Sequence, residues 1–246
     1  MTTTYVKLAT ESQAHDEEIW DCKWFHNENK LLTASLDDKV HIWNFDENNN
    51  NLTKVGELEG HNLGVNSIDV SPDNKIIATR SLDSFVRFYN SEDKSQTQNI
   101  DCAPAHSWTI EFFPNGGYLA TGSMTGHIHI LKAADGEKVL SIDAQLDFVI
   151  ALSVNPNGKL LAASGMDGKV RVFEIEEDGE GCPISYKTKF SFDAHFMPVR
   201  ALCFTADSNL VTGSDDNQIK VHSLDGKTTA VLDTIEKVLE KMWLFY

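Results

Sequence analysis

"SLDDKVHIW", residues 35–43, and "SLDSFVRFY", residues 81–89, are two versions of one phrase. Each opens on Ser, turns at Asp and closes on a large aromatic. A phrase repeated in this way is either a chemical site used more than once or a structural unit that needs copies of itself. Three more versions follow. Aligned on the last residue, "SMTGHIHIL" ends at Leu131, "SGMDGKVRVF" at Phe173 and "GSDDNQIKVH" at His222. From Trp43 through Tyr89 to these three ends, the steps are 46, 42, 42 and 49 residues.

The rest of each period agrees. About twenty residues before each phrase a turn opens: "AHDEEIW", "GHNLGVNS", "CAPAHSWT", "AQLDFVIA" and "AHFMPVRA". An apolar strand follows, such as "GVNSIDV" or "PVRALCF", then a Pro, Asn or Asp turn such as "SPDNK" or "NPNGK". A second apolar strand leads into the phrase, which supplies a tight turn and a third strand. A more polar fourth strand, such as "LTKVGEL", closes the unit. Short β-rich runs with turn signals every 8–12 residues predict an all-β architecture. A period of about 40–45 residues with four strands is that of a propeller blade.

The sequence resembles the WD-repeat β-propellers. "GHNLGVNSIDVSPDNKIIATRSLDSFVRFYN" has the Gly-His start, the turn Asp and the closing aromatic of that family. The signature is loose in one copy and specific in five copies held in register. The expected domain organisation is an N-terminal closing strand in residues 1–13 and five four-stranded blades in 14–232, at about 14–60, 61–102, 103–144, 145–194 and 195–232. An atypical tail, residues 233–246, follows as a short helix.

The resemblance gives the phrase a structural job. A His from the loop before the first strand bonds the Asp of the tight turn, and a Ser or Thr and the Trp of the third strand complete a buried chain. Carried over, blade one uses His15, Ser35, Asp37 and Trp43. Blade two uses His61, Ser81 and Asp83, with Tyr89 in the Trp place. Blade five keeps His195, Ser214 and Asp216. Blade three has Ala103 and Thr125 in place of His and Asp. Blade four keeps Asp167, but has Gln145 for His and Gly165 for Ser. Recurrence at blade spacing argues against a catalytic Ser-His-Asp triad, which needs one exposed nucleophile rather than copies.

Bulk composition narrows the function. The 246 residues carry 37 acidic and 21 basic side chains, a formal net charge of −16. That field repels phosphate backbones, so direct nucleic-acid binding is not expected. Cys22, Cys102, Cys182 and Cys203 are widely spread with no C-x-x-C pair, which predicts reduced thiols rather than a zinc or redox motif. No stretch of about 18 apolar residues predicts a membrane span. Asn51-Leu52-Thr53 matches a glycosylation sequon without a secretory signal beside it. His127 and His129 alternate on one strand, but the place of His129 is taken by His41, Arg87, Arg171 and Lys220 in the other blades, a generic polar slot rather than a metal site. The acidic run at 174–181 reads as a solvated loop. No nucleotide-loop, nucleophile-elbow or zinc-protease motif is present, and no cofactor is expected.

One set of residues asks for a partner. Five positions after each loop His stand Trp20, Asn66, Trp108, Ile150 and Arg200. Just before each turn Asp stand Leu36, Leu82, Met124, Met166 and Asp215. In the family that the chain resembles, both sets surround the channel mouth on one face, and Phe148 joins them here. Aromatics, Met and Arg are enriched at interface cores, so Trp20, Leu36, Leu82, Trp108, Met124, Phe148, Ile150, Met166 and Arg200 are the candidate partner-binding residues.

The resemblance extends beyond the fold. "SLDDKVHIWNF", "WTIEFFPNGGYLATGS" and "HFMPVRALCFTADSNLVTGSDDNQIKV" are similar to the animal WD-repeat subunits of superkiller complexes, also associated with the polymerase-associated factor complex. This implies a non-enzymatic scaffold. In the cytoplasm it would help a helicase complex, with a helical-repeat scaffold, feed RNA to the 3′-to-5′ exosome. In the nucleus it would join a transcription-elongation assembly. A generic adaptor, such as a ubiquitin-ligase substrate receptor or a chromatin-peptide reader, is the alternative. A propeller enzyme would need convergent catalytic groups in the channel.

A strand count bears on closure. "TYVKLAT", residues 4–10, is a spare fourth strand of the kind that completes a last blade, yet blade five already has "TTAVLD", residues 228–233. The resembled family has seven blades, and five are counted here. After Asp233, Ile235, Val238, Leu239, Met242 and Phe245 fall at helical spacing. The expectation is five blades of a longer parent, open or incompletely closed.

Overall fold

The computed structural model describes residues 7–102 and 107–233. Among them, twenty strands form five antiparallel four-stranded sheets, each running in simple sequence order. Blade one holds β1 (Ile19–Trp24), β2 (Lys30–Ser35), β3 (Val40–Asp46) and β4 (Asn51–Leu58). Blade two holds β5 (Val65–Val70), β6 (Ile76–Ser81), β7 (Phe85–Asn90) and β8 (Gln96–Asp101). Blade three holds β9 (Ser107–Phe112), β10 (Tyr118–Ser123), β11 (His127–Lys132) and β12 (Lys138–Asp143). Blade four holds β13 (Val149–Val154), β14 (Leu160–Gly165), β15 (Lys169–Glu177) and β16 (Pro183–Asp193). Blade five holds β17 (Val199–Phe204), β18 (Leu210–Ser214), β19 (Gln218–His222) and β20 (Thr228–Asp233).

The first strands of successive blades neighbour one another around a central cavity, which makes them the innermost strands. A blade stacked between two others buries both of its faces. β5 and β13 are therefore buried along their whole length, whereas the outermost β8 is mostly polar and exposed. Inner strand β13, VIALSV, is accordingly almost wholly apolar, whereas β1, β5 and β9 also carry the charged Asp21, Lys23, Asp69 and Glu111 toward the channel.

Four seams carry an apolar cluster each. Blades one and two share Leu32, Ile42, Ile68 and Ile77; blades two and three share Phe88, Ile110 and Leu119. Blades three and four share Phe113, Ile130, Leu152 and Leu161; blades four and five share Leu160, Val172, Val199 and Leu202. Side chains on the inner strands also clasp the next blade. Ile68 N–H donates to Asp21 at 2.8 Å, Phe112 N–H to Asp69 at 2.5 Å and Phe204 N–H to Ser153 Oγ at 3.1 Å. Blade five has Cys203 at the place of Asp69 and Ser153. Among the described residues no sheet and no buried apolar cluster joins blade five to blade one, and β1 is half-buried up to Trp24, which is exposed. The described residues form a propeller of five blades in a ring, with blades one and five both lining the central cavity.

Of the expected N-terminal strand, residues 7–10 have irregular backbone and residues 1–6 lie outside the described set. Of the expected tail, Asp233 ends β20, and residues 234–246 lie outside the described set, as does Ala103.

Candidate protein-binding face

The repeated phrase builds one turn five times. The residue after each turn Asp or Thr has a left-handed backbone: Asp38 (φ 70°), Ser84 (72°), Gly126 (77°), Gly168 (73°) and Asn217 (62°). Asp, Ser, Asn and Gly are suited to short polar turns of this kind. At Gly126 a side chain is also excluded by space, because a Cβ would meet the Leu146 carbonyl oxygen. The turn Asp locks the bend by accepting an N–H two residues on: Lys39 to Asp37 at 3.2 Å, Phe85 to Asp83 at 3.0 Å, Lys169 to Asp167 at 3.1 Å and Gln218 to Asp216 at 3.0 Å.

The serines differ from expectation. Ser35, Ser81 and Ser214 accept from the backbone N–H of Asp37, Asp83 and Asp216 at 3.1–3.2 Å, which braces the turn. The hydroxyl inside the buried chain comes instead from Thr33, Thr79 and Thr212, two residues earlier on the same strand face. In blade one, Trp43 Nε1–H donates to Thr33 Oγ1 at 2.8 Å. Thr33 lies 2.7 Å from His15 Nε2, and His15 Nδ1 lies 2.9 Å from Asp37 Oδ2. The donors and acceptors are consistent with Thr33 O–H donating to Nε2 and Nδ1–H donating to the carboxylate.

Blade two repeats the His61–Thr79 contact at 2.7 Å and His61–Asp83 at 3.1 Å, but the Tyr89 hydroxyl donates to the Glu59 carbonyl at 2.9 Å. Blade five has His195–Thr212 at 2.8 Å and His195–Asp216 at 2.8 Å, with His222 at 2.9 Å from Thr212 in the Trp place. The threonines and His222 were legible as the repeated "T-x-S" and as the last letter of the fifth phrase, but two hydroxyls on one strand face cannot be ranked without the His position. Blade three has a Ser107–Thr121 hydroxyl pair, and in blade four Asp167 faces Arg171 at 3.3 Å.

Burial pushes Asp37 and Asp83 upward, but backbone N–H groups and the paired His hold both carboxyls below their usual range. Burial brings His61 and His222 down to about 4, aided by Arg87 beside His61 and His195 beside His222. Burial lowers His195 as well, against the pull of Asp216. A neutral ring fits the chain, since one nitrogen can then accept while the other donates.

The antiparallel meander puts the β2–β3-type turns and the loops between blades on one face. The candidate ring gathers there through a shared irregularity. In every blade the register of the first two strands slips by one residue, at Trp20, Asn66, Trp108, Ile150 and Arg200. A β-bulge re-aims the extra side chain. All five line a central cavity of ≈ 380 Å³. Trp20 and Trp108 have ring centroids 5.6 Å apart, and Phe148 packs edge-on to Trp108 at 5.1 Å. Ile150 is buried in the wall, and Arg200 stands at the rim with Nε 3.1 Å from both oxygens of Asp215.

The second half of the ring divides. Leu82, Met124 and Met166 are exposed, whereas Leu36 is half-buried against Gly64 of the next blade. Gly64 is required there, because a Cβ would come within 2.9 Å of the Leu36 Cα. Three exposed apolar residues escaped the sequence pattern: Leu63, Phe196 and Met197, in the loops between blades. They follow a loop His and precede a strand, so strand alternation gives no signal for them. Phe196 is 81% exposed. With these three, six of the eleven exposed large apolar side chains of the described residues lie on this face, which makes it the apolar side of the molecule.

Charge collects deeper in the channel. Lys23 of blade one reaches Asp69 of blade two at 3.0 Å and Glu111 of blade three at 3.4 Å. Burial pushes Asp21 and Glu111 up to about 7, with Asp69 adding to the rise and Lys23 opposing it. Burial likewise holds the Cys22 thiol up at about 12 and the Cys102 thiol at about 11. These are structural, unreactive thiols. His127 Nδ1 donates to the Thr125 carbonyl and His129 Nδ1 pairs with Ser141 Oγ, each at 3.0 Å.

Five segments, residues 6–44, 52–90, 98–131, 136–174 and 186–223, match the family described as "WD domain, G-beta repeat". The chain is similar to WD repeat-containing protein SL1-17 of Schistosoma mansoni, 36% identical over 112 residues that cover 44% of this chain and 36% of the relative. It is similar to WD repeat-containing protein VIP3 of Arabidopsis thaliana, 32% identical over 109 residues, 43% of this chain and 33% of the relative. THO complex subunit 3 of Arabidopsis thaliana is 29% identical over 92 residues, 37% of this chain and 29% of the relative. The matched stretch thus spans about a third of the length of these relatives.

Proposed function

Given that the chain belongs to the WD-repeat family, whose propellers serve as scaffolds and adaptors for protein partners, we propose that it is a non-enzymatic subunit supporting assembly of the superkiller complex in exosome-linked 3′-to-5′ RNA decay. The same surface serves a transcription-elongation assembly, so the protein works in cytoplasm and nucleus. The carrying observation is the apolar face, with Leu82, Met124, Met166 and Phe196 exposed around an aromatic channel mouth. The candidate Ser, His and Asp side chains support a scaffold, because they are consumed in turn-bracing hydrogen bonds rather than converging on a reacting atom. The motif resemblance supplies the particular complex, and one relative's name places that relative in a multi-subunit assembly. With a net charge of −16, RNA contact falls to the partners.

Affinity purification of the tagged chain from native extract, with partners identified by mass spectrometry, tests this. Recovery of a helicase and a helical-repeat scaffold, lost on Met166→Asp with Phe196→Asp, is the expected result. Recovery of ubiquitin-ligase or chromatin components through the same face would replace it with the general adaptor role.

A further inference from the structure

The seam between blades five and one is half-covered where the other seams are sealed. Strand register puts equivalent residues at equivalent points of each blade. Val211 and Val221 are paired across β18 and β19, as Leu32 and Ile42 are in blade one, Ala78 and Phe88 in blade two and Ala162 and Val172 in blade four. The next blade buries all three of those pairs. Val211 and Val221 are only half-buried, as is Ile219 beside them. Across the seam, Trp24 and Leu31 hold the places of Val70 and Ile77 in blade two. Val70 is 1% exposed and Ile77 fully buried, whereas Trp24 is 39% exposed and Leu31 half-buried. Phe45, also half-buried, lies edge-on to Trp24 at 6.3 Å. Apolar side chains thus flank this seam from both blades without the cover that their counterparts have. Leu8 is itself 58% exposed, so the described part of the N-terminal segment does not fill it.

We propose that residues 234–246 of this same chain, TIEKVLEKMWLFY, dock into the seam as an amphipathic helix and cover the flanks of blades five and one. The segment starts beside the surface it covers, because β20 ends at Asp233, paired with Gln218 at the start of β19 and next to Ile219. Ile235, Val238, Leu239 and Met242 recur at the spacing of one helical stripe, and Glu236, Lys237, Glu240 and Lys241 fall off it. Its 13 residues span about 20 Å as a helix. The four strands of a blade, about 4.8 Å apart, span about 14 Å, so the stripe reaches across the whole flank. Two glutamates and two lysines leave the segment without net charge. A second copy of the chain would instead bring −16 against −16. Covalent attachment also gives the segment an effective concentration on the order of mM at the seam.

A photoreactive benzophenone amino acid in place of Phe245, irradiated in the whole chain and mapped by mass spectrometry, tests this. Cross-links within one chain to residues 210–222 or 24–45 are expected. Absence of cross-links, links to other blades, or links only between two chains overturn the proposal, the last in favour of a second copy at the seam. A dye that fluoresces on exposed apolar surface supplies an independent measure. Leu239→Asp, on the stripe, should raise its signal at least twofold (about 2-fold or more over the native chain), and Lys237→Ser, off the stripe, should leave it unchanged. Equal signals from the two variants overturn the proposal as well.

Discussion

Thr33→Val removes one hydroxyl and almost no volume, which isolates the hydrogen-bonded chain of blade one. In the native protein Thr33 is buried, accepts from Trp43 at 2.8 Å and lies 2.7 Å from His15. The valine strands two polar groups at once, the Trp43 N–H and the His15 Nε2 lone pair. Each orphaned buried group costs about 1–3 kcal/mol, so a loss of roughly 2–5 kcal/mol is expected. The better strand propensity of Val offsets only a few tenths. Ser35→Ala loses one bracing bond to the Asp37 N–H in a half-exposed turn, and about 1 kcal/mol is expected. Urea unfolding followed by tryptophan fluorescence reads both as midpoint shifts at constant slope. A double-mutant cycle with Trp43→Phe should show coupling, since the second substitution removes a group already orphaned. Equal losses for Thr33→Val and Ser35→Ala, or a native midpoint for Thr33→Val, would refute the assignment of the threonine to the chain.

Other outcomes follow from the same geometry. Asp83→Ala should lower stability by about 1–3 kcal/mol, because it strands His61 and the Phe85 N–H together, and a native denaturation midpoint would contradict this. A Trp20→Ala, Trp108→Ala pair should weaken partner capture while circular dichroism stays native, since aromatic anchors often contribute about 2 kcal/mol or more each. The pH dependence has two opposed parts. His61 and His222, held at about 4 against an ordinary 6.5, contribute stability that is present above 6.5 and lost as pH falls toward 4. Asp21 and Glu111, raised to about 7, act the other way, so their contribution grows as pH falls from 8 toward 4. Glu111→Gln should therefore improve stability more at pH 8 than at pH 5, and thermal unfolding at the two values would show it.

What the sequence determined by itself is what lies within about ten residues. Ser at 35, Asp at 37 and a residue tolerant of positive φ at 38 specify a turn through bonds between near neighbours, so five copies at blade spacing already announced five sheets. The apolar run of β13 and the polar outer strand β8 were legible for the same reason, since burial of both faces favours a continuous apolar run. The five positions after the loop His were legible as a set, because equal spacing puts equivalent residues at equivalent points. The tertiary structure decided the rest. Thr33 rather than Ser35 meets His15 because the loop, eighteen residues away, delivers the ring to that hydroxyl. The bulges that turn Trp20 and Trp108 toward each other depend on strand register, and Lys23 finds Glu111 only because blade one is held within reach of blade three, 88 residues later. The seams were decided there as well: each of four has an apolar cluster drawn from both neighbouring blades. Local hydrogen bonding repeats along a chain and can be read from it. Contact between distant blades depends on how the sheets pack, which no single repeat contains.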